Sequence, residues 1–170
     1  SYNGKSYDYP LLRSRYIMNQ LEPSFTQMAH HDLLHLARRV WKEALPACDL
    51  ISIEENILNR YRNGDIPGWM IPQSYFDFLN TGVIHNMVRI IEHNYFDLLS
   101  LVELMIVLNR ISQKPETENN VQVLNCLANL AFQQDNIRLY DQICISIEQR
   151  SGKISPRLMV DKSIMHKKKN

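Results

Sequence analysis

No sign of charge dominates this chain. Nineteen Lys and Arg stand against 18 Asp and Glu, a formal net charge of +1, so there is no global nucleic-acid signature. Cysteine is scarce. Cys48, Cys126 and Cys144 are odd in number and far apart in sequence, which argues against a disulfide framework and against a cysteine-based zinc cluster. A reduced, cytoplasmic setting is the expectation. Long apolar runs are also missing. The strongest, residues 98–108, is broken by Ser100 and Glu103 and is too short to span a bilayer. No secretory leader is visible. The chain opens on Ser-Tyr-Asn-Gly without an initiator Met, and the expectation is that further natural sequence precedes it.

What the chain does have is apolar content sufficient for a core. Hydrophobic residues make up 45% and charged residues 22%, so global disorder is excluded. Charge is unevenly placed. Residues 151–170 carry six Lys or Arg and one acid, Asp161, a balance of +5, whereas the remainder holds 13 basic and 17 acidic residues, a balance of −4. The tail from Ser151 is expected to be loose. Its Lys167-Lys168-Lys169 run either adds nonspecific affinity for nucleic acid or is simply solvated.

Most of the chain reads as helix. Residues 1–7 read as the end of a strand and a turn at Asn3-Gly4. Residues 8–18 start a helix that tolerates Pro10 in its first turn. Residues 28–45 carry Leu33, Leu34, Ala37, Val40 and Trp41 at helical spacing. A helix over 51–61 is expected, with Ser52 as N-cap and Glu55 completing a capping box. Residues 72–79 form another, closed by Gly82. Residues 84–111 form the longest, apolar nearly all round in its second half and therefore expected to be deeply buried. After a polar linker at 112–120, residues 121–150 read as two helices broken near Gln134-Asp135-Asn136, a unit of tetratricopeptide size.

Two short motifs suit catalysis. In His93-Asn94-Tyr95-Phe96-Asp97, helical spacing puts His93 and Asp97 on one face, one turn apart. An imidazole beside a carboxylate suits a general base next to a metal ligand; the plain alternative is an ordinary His–Asp pair. In Asn3-Gly4-Lys5-Ser6-Tyr7-Asp8, the aspartate follows a turn and is either a ligand or a dipole-favoured residue at a helix start. A rival arrangement is His31-Asp32-Leu33-Leu34-His35, which imitates the zinc motif His-Glu-x-x-His with too short an acid and no clear third ligand. Arg38 and Arg39 are phosphate contacts or a solvated helix face.

Taken together these motifs resemble the YprB-type ribonuclease H-like exonucleases, relatives of the DnaQ-type proofreading nucleases. The resemblance rests on Asn3 to Leu12, on His31-Asp32-Leu33-Leu34-His35-Leu36-Ala37-Arg38-Arg39-Val40-Trp41, on Asp65-Ile66-Pro67-Gly68 with Ile71-Pro72 and Tyr75-Phe76, and on Glu92 to Asp97. It covers roughly residues 1–108 and continues more weakly into 121–150. It implies a partial α/β ribonuclease H-like fold, mostly helical here, with an appended helical hairpin. The implied organisation is the later part of the nuclease domain at 1–111, a linker at 112–120, a tetratricopeptide-like pair at 121–150 and a basic flexible tail at 151–170. The implied activity is 3′–5′ exonucleolytic hydrolysis of DNA or RNA with two Mg²⁺ or Mn²⁺ ions. Asp8 and Asp97 would be metal ligands and His93 the base. Asn3, Tyr7, Arg38 and Arg39 would contact the nucleic acid, and the helical pair would offer a surface to a protein partner. The family's first motif, Asp-x-Glu, would lie upstream of Asn3, so this chain by itself is expected to be inactive or nearly so. The alternative from another class is a non-catalytic helical interaction module built on an inactive nuclease remnant.

Overall fold

The computed structural model describes residues 1–169. Among them the chain forms eight α-helices: α1 Asp8–Met18, α2 Leu33–Trp41, α3 Leu50–Asn56, α4 Ile71–Thr81, α5 His85–Gln113, α6 Val121–Gln133, α7 Ile137–Ser151 and α8 Pro156–Lys169. Short 3-10 turns lie at Ser24–Gln27, Gly68–Met70 and Pro115–Thr117.

The expectation of a partial α/β fold is corrected: no strand exists among the described residues. The reason is visible at Ser1. Its amino group donates to the carbonyl of His31 at 3.0 Å, and its carbonyl accepts from the Leu33 amide at 2.9 Å. That exchange involves one residue. Beyond it the backbone turns at Asn3, whose φ is 62°, and helix α1 begins at Asp8. Two backbone bonds do not extend into a ladder.

Local capping explains the starts of four helices. The Asp32 carboxylate accepts the Leu34 amide at the start of α2. Asn120 accepts the amides of Gln122 and Val123 before α6, and Asn136 accepts that of Leu139 before α7. These side chains satisfy amides that the helix itself leaves open. For α3 the cap is Asp49, which accepts the Ser52 amide at 2.9 Å. The expected cap, Ser52, lies inside the helix and turns its hydroxyl back to the Ala47 carbonyl.

The core lies where α2, α6 and α7 meet, with α3, α5 and α8 closing its sides. Ala37, Val40, Trp41, Leu124, Ala128 and Ile143 are almost or entirely excluded from solvent. Burying one such large aliphatic side chain contributes roughly 1.5–3 kcal/mol. Residues 156–169 were expected to be loose; they form α8 instead. Leu158 and Met165 are buried, and the Tyr140 hydroxyl donates to the Leu158 carbonyl at 2.9 Å. Asn170, the last residue of the expected tail, lies outside the described residues. No helix of the described chain is long and apolar enough to cross a membrane, and all three cysteines are free.

Helix α5 departs most from expectation. Only Ser100, Leu104 and Ile111 are fully buried on it. Val88, Ile91, Tyr95, Leu98, Val102 and Met105, spaced alternately three and four residues apart, are exposed. An apolar residue is buried only where another element meets it. Helices α2, α3 and α4 contact α5 and leave this stripe facing outward.

Candidate active site

Two segments brought from distant parts of the chain carry the expected acids. Asp8 follows the Asn3-Gly4 turn, which Asp32 holds in place. One Asp32 oxygen accepts the Asn3 amide at 2.8 Å, and the other accepts the Lys5 amide at 3.1 Å. Burial opposes ionisation of Asp32, but these bonds and the one from Leu34 outweigh it and hold its carboxyl below the ordinary range. Gly4 is buried, and a Cβ there would lie 2.5 Å from the Ser1 side chain and 2.9 Å from an Asp8 carboxylate oxygen. The missing side chain is what lets the turn pack against Ser1 and Asp8.

His93 and Asp97 sit on α5, one turn apart, and face an ion-pair network centred on Arg62. The Arg62 side chain is 7% exposed. Its Nε donates to Glu54 Oε2 at 2.7 Å, and its Nη2 donates to the other Glu54 oxygen. Nη2 also donates to Asp97 Oδ1 at 2.7 Å, and Nη1 donates to Asp65 Oδ2 at 3.0 Å. Burial works against the guanidinium charge, yet the bonds to Glu54, Asp97 and Asp65 raise its pKa above the ordinary arginine value. Glu54 is fully buried on α3 and also accepts the Ser100 hydroxyl from α5. Helix α5 therefore presents His93, Asp97 and Ser100 on one face at spacings of four and three.

Asp65 ties the network to the histidine. His93 Nδ1 lies 2.7 Å from Asp65 Oδ2 and 3.3 Å from Arg62 Nη1. The guanidinium nitrogen can only donate, so the longer approach follows from two donors sharing one carboxylate oxygen. Burial of Asp65 opposes its charge, but the bonds from Arg62 and His93 outweigh it and lower its pKa. The other ring nitrogen, Nε2, stands 3.5 Å from Asp97 Oδ2.

A cavity of about 570 Å³ brings the two segments together. Asp8, His93 and Asp97 all line it, with Ser1, Tyr2, Asn94 and apolar residues of α3, α4 and α5. The remaining candidates are elsewhere. Tyr7 is exposed, and Asn3 is engaged through its backbone with Asp32. Arg38 and Arg39 are exposed on α2, and Arg38 lines a different cavity with Lys42 and Cys48. The rival zinc arrangement does not form. His31 precedes α2, whose first residue is Leu33, so His31 and His35 do not share a helix face, and Asp32 is occupied by three amides. Sequence reading missed Glu54, Arg62, Asp65 and Ser100. Asp65 stood in a segment that carries the resemblance and Ser100 broke an apolar run, but neither signal names a partner.

The donor chemistry suits a hard divalent cation, which favours carboxylate oxygen. Asp8 and Asp97 line one cavity, and Arg62 engages a single Asp97 oxygen, Oδ1. Among the described residues, no group of three or more acidic, His or Cys side chains is arranged to hold a metal. The chain therefore fits the cation in ligand type with two carboxylates.

Comparison with known proteins defines the class. Residues 1–109 match the RNase_H superfamily, and the chain belongs to that family. A curated relative, the uncharacterized protein YprB of Bacillus subtilis (strain 168), is 33% identical over 111 residues. That match covers 65% of this chain and 27% of YprB. No solved structure matches the chain.

Proposed function

We propose that this chain contributes the Asp8–His93–Asp97 side of a metal-dependent 3′–5′ exonuclease site acting on nucleic acid. The observation that carries the reading is the shared cavity: residues far apart in sequence, and of the types the reaction needs, line one space in a member of the RNase_H superfamily. Asp8 and Asp97 would hold a divalent ion, Mg²⁺ or Mn²⁺. When bound, it supplies charge neutralisation at the scissile phosphate. His93 takes a proton from the attacking water. As the water oxygen bonds to phosphorus, the bond to the 3′ oxygen breaks and that oxygen is protonated as it leaves. Arg62 holds one oxygen of Asp97, which leaves the other for the cavity. The site would be that of a DnaQ-like exonuclease, and residues 121–150 would form a tetratricopeptide-like pair that offers a surface to a protein partner.

Mn²⁺ titration of the isotope-labelled 170-residue chain tests the site without requiring activity. Paramagnetic broadening should centre on Asp8, His93 and Asp97, and should vanish when both Asp8→Asn and Asp97→Asn are present. Broadening centred elsewhere, with this cavity untouched, overturns the assignment. In the complete protein, His93→Ala should slow Mg²⁺-dependent hydrolysis by roughly 10²–10⁴-fold, the scale for a lost general base. Undiminished hydrolysis removes His93 from the reaction.

A further inference from the structure

The nuclease reading gives His93 a proton to take but does not say which ring nitrogen is available. The side chains around the ring answer that question. Both oxygens of the Asp65 carboxylate are engaged, which fixes its orientation. Its Oδ1 accepts the amide of the next residue, Ile66, at 2.8 Å. Its Oδ2 accepts from Arg62 and lies 2.7 Å from His93 Nδ1. An ionised carboxylate only accepts, so the hydrogen in that contact belongs to Nδ1.

The segment that carries Asp65 is itself fixed. Ile66 is 1% exposed and anchors the loop. Gly64, with φ 73°, makes the turn before it and accepts from Arg89 through its carbonyl. The Arg60 amide donates to the Glu54 carbonyl at 2.9 Å. Arg62 then spans Glu54, Asp65 and Asp97, so the carboxylate beside Nδ1 and the carboxylate beside Nε2 are set by one guanidinium. Such outer partners fix the tautomer and orientation of a working imidazole.

We infer that Asp65 is a positioning residue for His93: it holds the neutral ring as the Nδ1–H tautomer, so that the Nε2 lone pair and Asp97 Oδ2 open side by side into the cavity. The 3.5 Å between those two atoms agrees with this arrangement. Two acceptors do not bond to each other, and together they present lone pairs to a water or a cation. Arg62 acts through Asp65 and Asp97 and touches no reacting atom. This inference rests on the assignment of His93 as the base only for its functional meaning. The tautomer is a property of the chain without metal or nucleic acid.

The experiment is a long-range proton–nitrogen correlation spectrum of the ¹⁵N-labelled 170-residue chain, recorded metal-free with the histidines neutral. The spectrum of a His93→Gln variant assigns the His93 signals. Free neutral histidine in water favours the Nε2–H form, so the expected result is a reversal: His93 shows a protonated Nδ1 and an unprotonated Nε2. Asp65→Ala should return the ring to the Nε2–H pattern. Asp65→Asn, which keeps an acceptor oxygen, should retain the Nδ1–H pattern, a rescue that a merely structural role would not produce. A wild-type ring in the Nε2–H form overturns the inference whatever the variants do. So does an Asp65→Ala spectrum that keeps dispersed amide signals and an unchanged tautomer. Failure of the Mn²⁺ titration would remove the metal site and leave this result standing, so the two readings fail separately.

Discussion

Replacing Arg62 with Met isolates the energetics of the network. Glu54 is fully buried, and among the described residues Arg62 supplies its only cationic partner, through two nitrogens. After Arg62→Met, Glu54 keeps the Ser100 hydroxyl but no counter-charge. Breaking a buried pair from one side costs about 3–5 kcal/mol, because the stranded charge has lost both water and partner. Asp65 and Asp97 lose a donor too, but they are more exposed, at 18% and 37%. Water replaces much of what they lose, so their share is small. The loss is a large fraction of the roughly 5–15 kcal/mol typical of a whole domain. The decisive comparison is the double variant. Adding Glu54→Met removes the stranded charge and fills the space with apolar volume, so the pair should return to within about 2 kcal/mol of the parent. Urea unfolding followed by far-ultraviolet circular dichroism, on the parent, both single variants and the double variant, gives the coupling directly. A single-variant loss below about 1 kcal/mol, or a double-variant loss equal to the sum of the singles, would refute the reasoning.

Acid should destabilise the chain in a defined window. Asp32, Asp65 and Asp141 are all held below the ordinary carboxylate range when folded, Asp141 because its bonds from His166 and Lys162 of α8 outweigh its burial. Their contribution is present above the unfolded value, about 3.9, and is lost as pH falls through the lower folded values. Urea midpoints should therefore be steady at neutral pH and fall below about pH 4; a loss complete by pH 6 contradicts this. Tyr140→Phe should cost about 0.5–1.5 kcal/mol by removing the hydroxyl bonded to Leu158. It should also speed amide exchange in α8 before other helices, and unchanged α8 protection would show that the bond does not hold that helix. Gly4→Ala should force the turn away from Ser1 and Asp8, at a cost of about 1–3 kcal/mol from overpacking, and should weaken Mn²⁺ broadening at Asp8 more than at Asp97. Equal broadening at both refutes the role given to the close approach.

Local features were legible in the sequence and distant ones were not. The four-residue spacing of His93 and Asp97 follows from helical geometry alone, as do the start of α1 and the end of α4 at Gly82. The cap of α3 was misread because Ser52 and Asp49 are both good caps, and only the chain path decides which carboxylate or hydroxyl faces the free amides. The burial of α5 was misread because periodicity reports that a face is apolar, not that anything covers it. The strand expected before Asn3 failed for a similar reason: pairing needs a neighbour along its length, and Ser1 alone meets His31 and Leu33. Arg62 and Asp65 lie on an irregular loop that has no period to read. Their partners on α3 and α5 are 8 to 35 residues away, and no one-dimensional pattern encodes that closure.

One guanidinium faces three carboxylates at the network, and one of these, Asp97, joins Asp8 in lining the cavity. On the nuclease reading this imbalance dictates an order of events. A phosphodiester approaching the cavity ahead of any cation meets like charge and is repelled, whereas a divalent cation is drawn in. The cation must therefore arrive first and reverse the local field before the strand can settle. Binding of the two would be sequential, and the apparent affinity for nucleic acid would rise and saturate with the concentration of the metal.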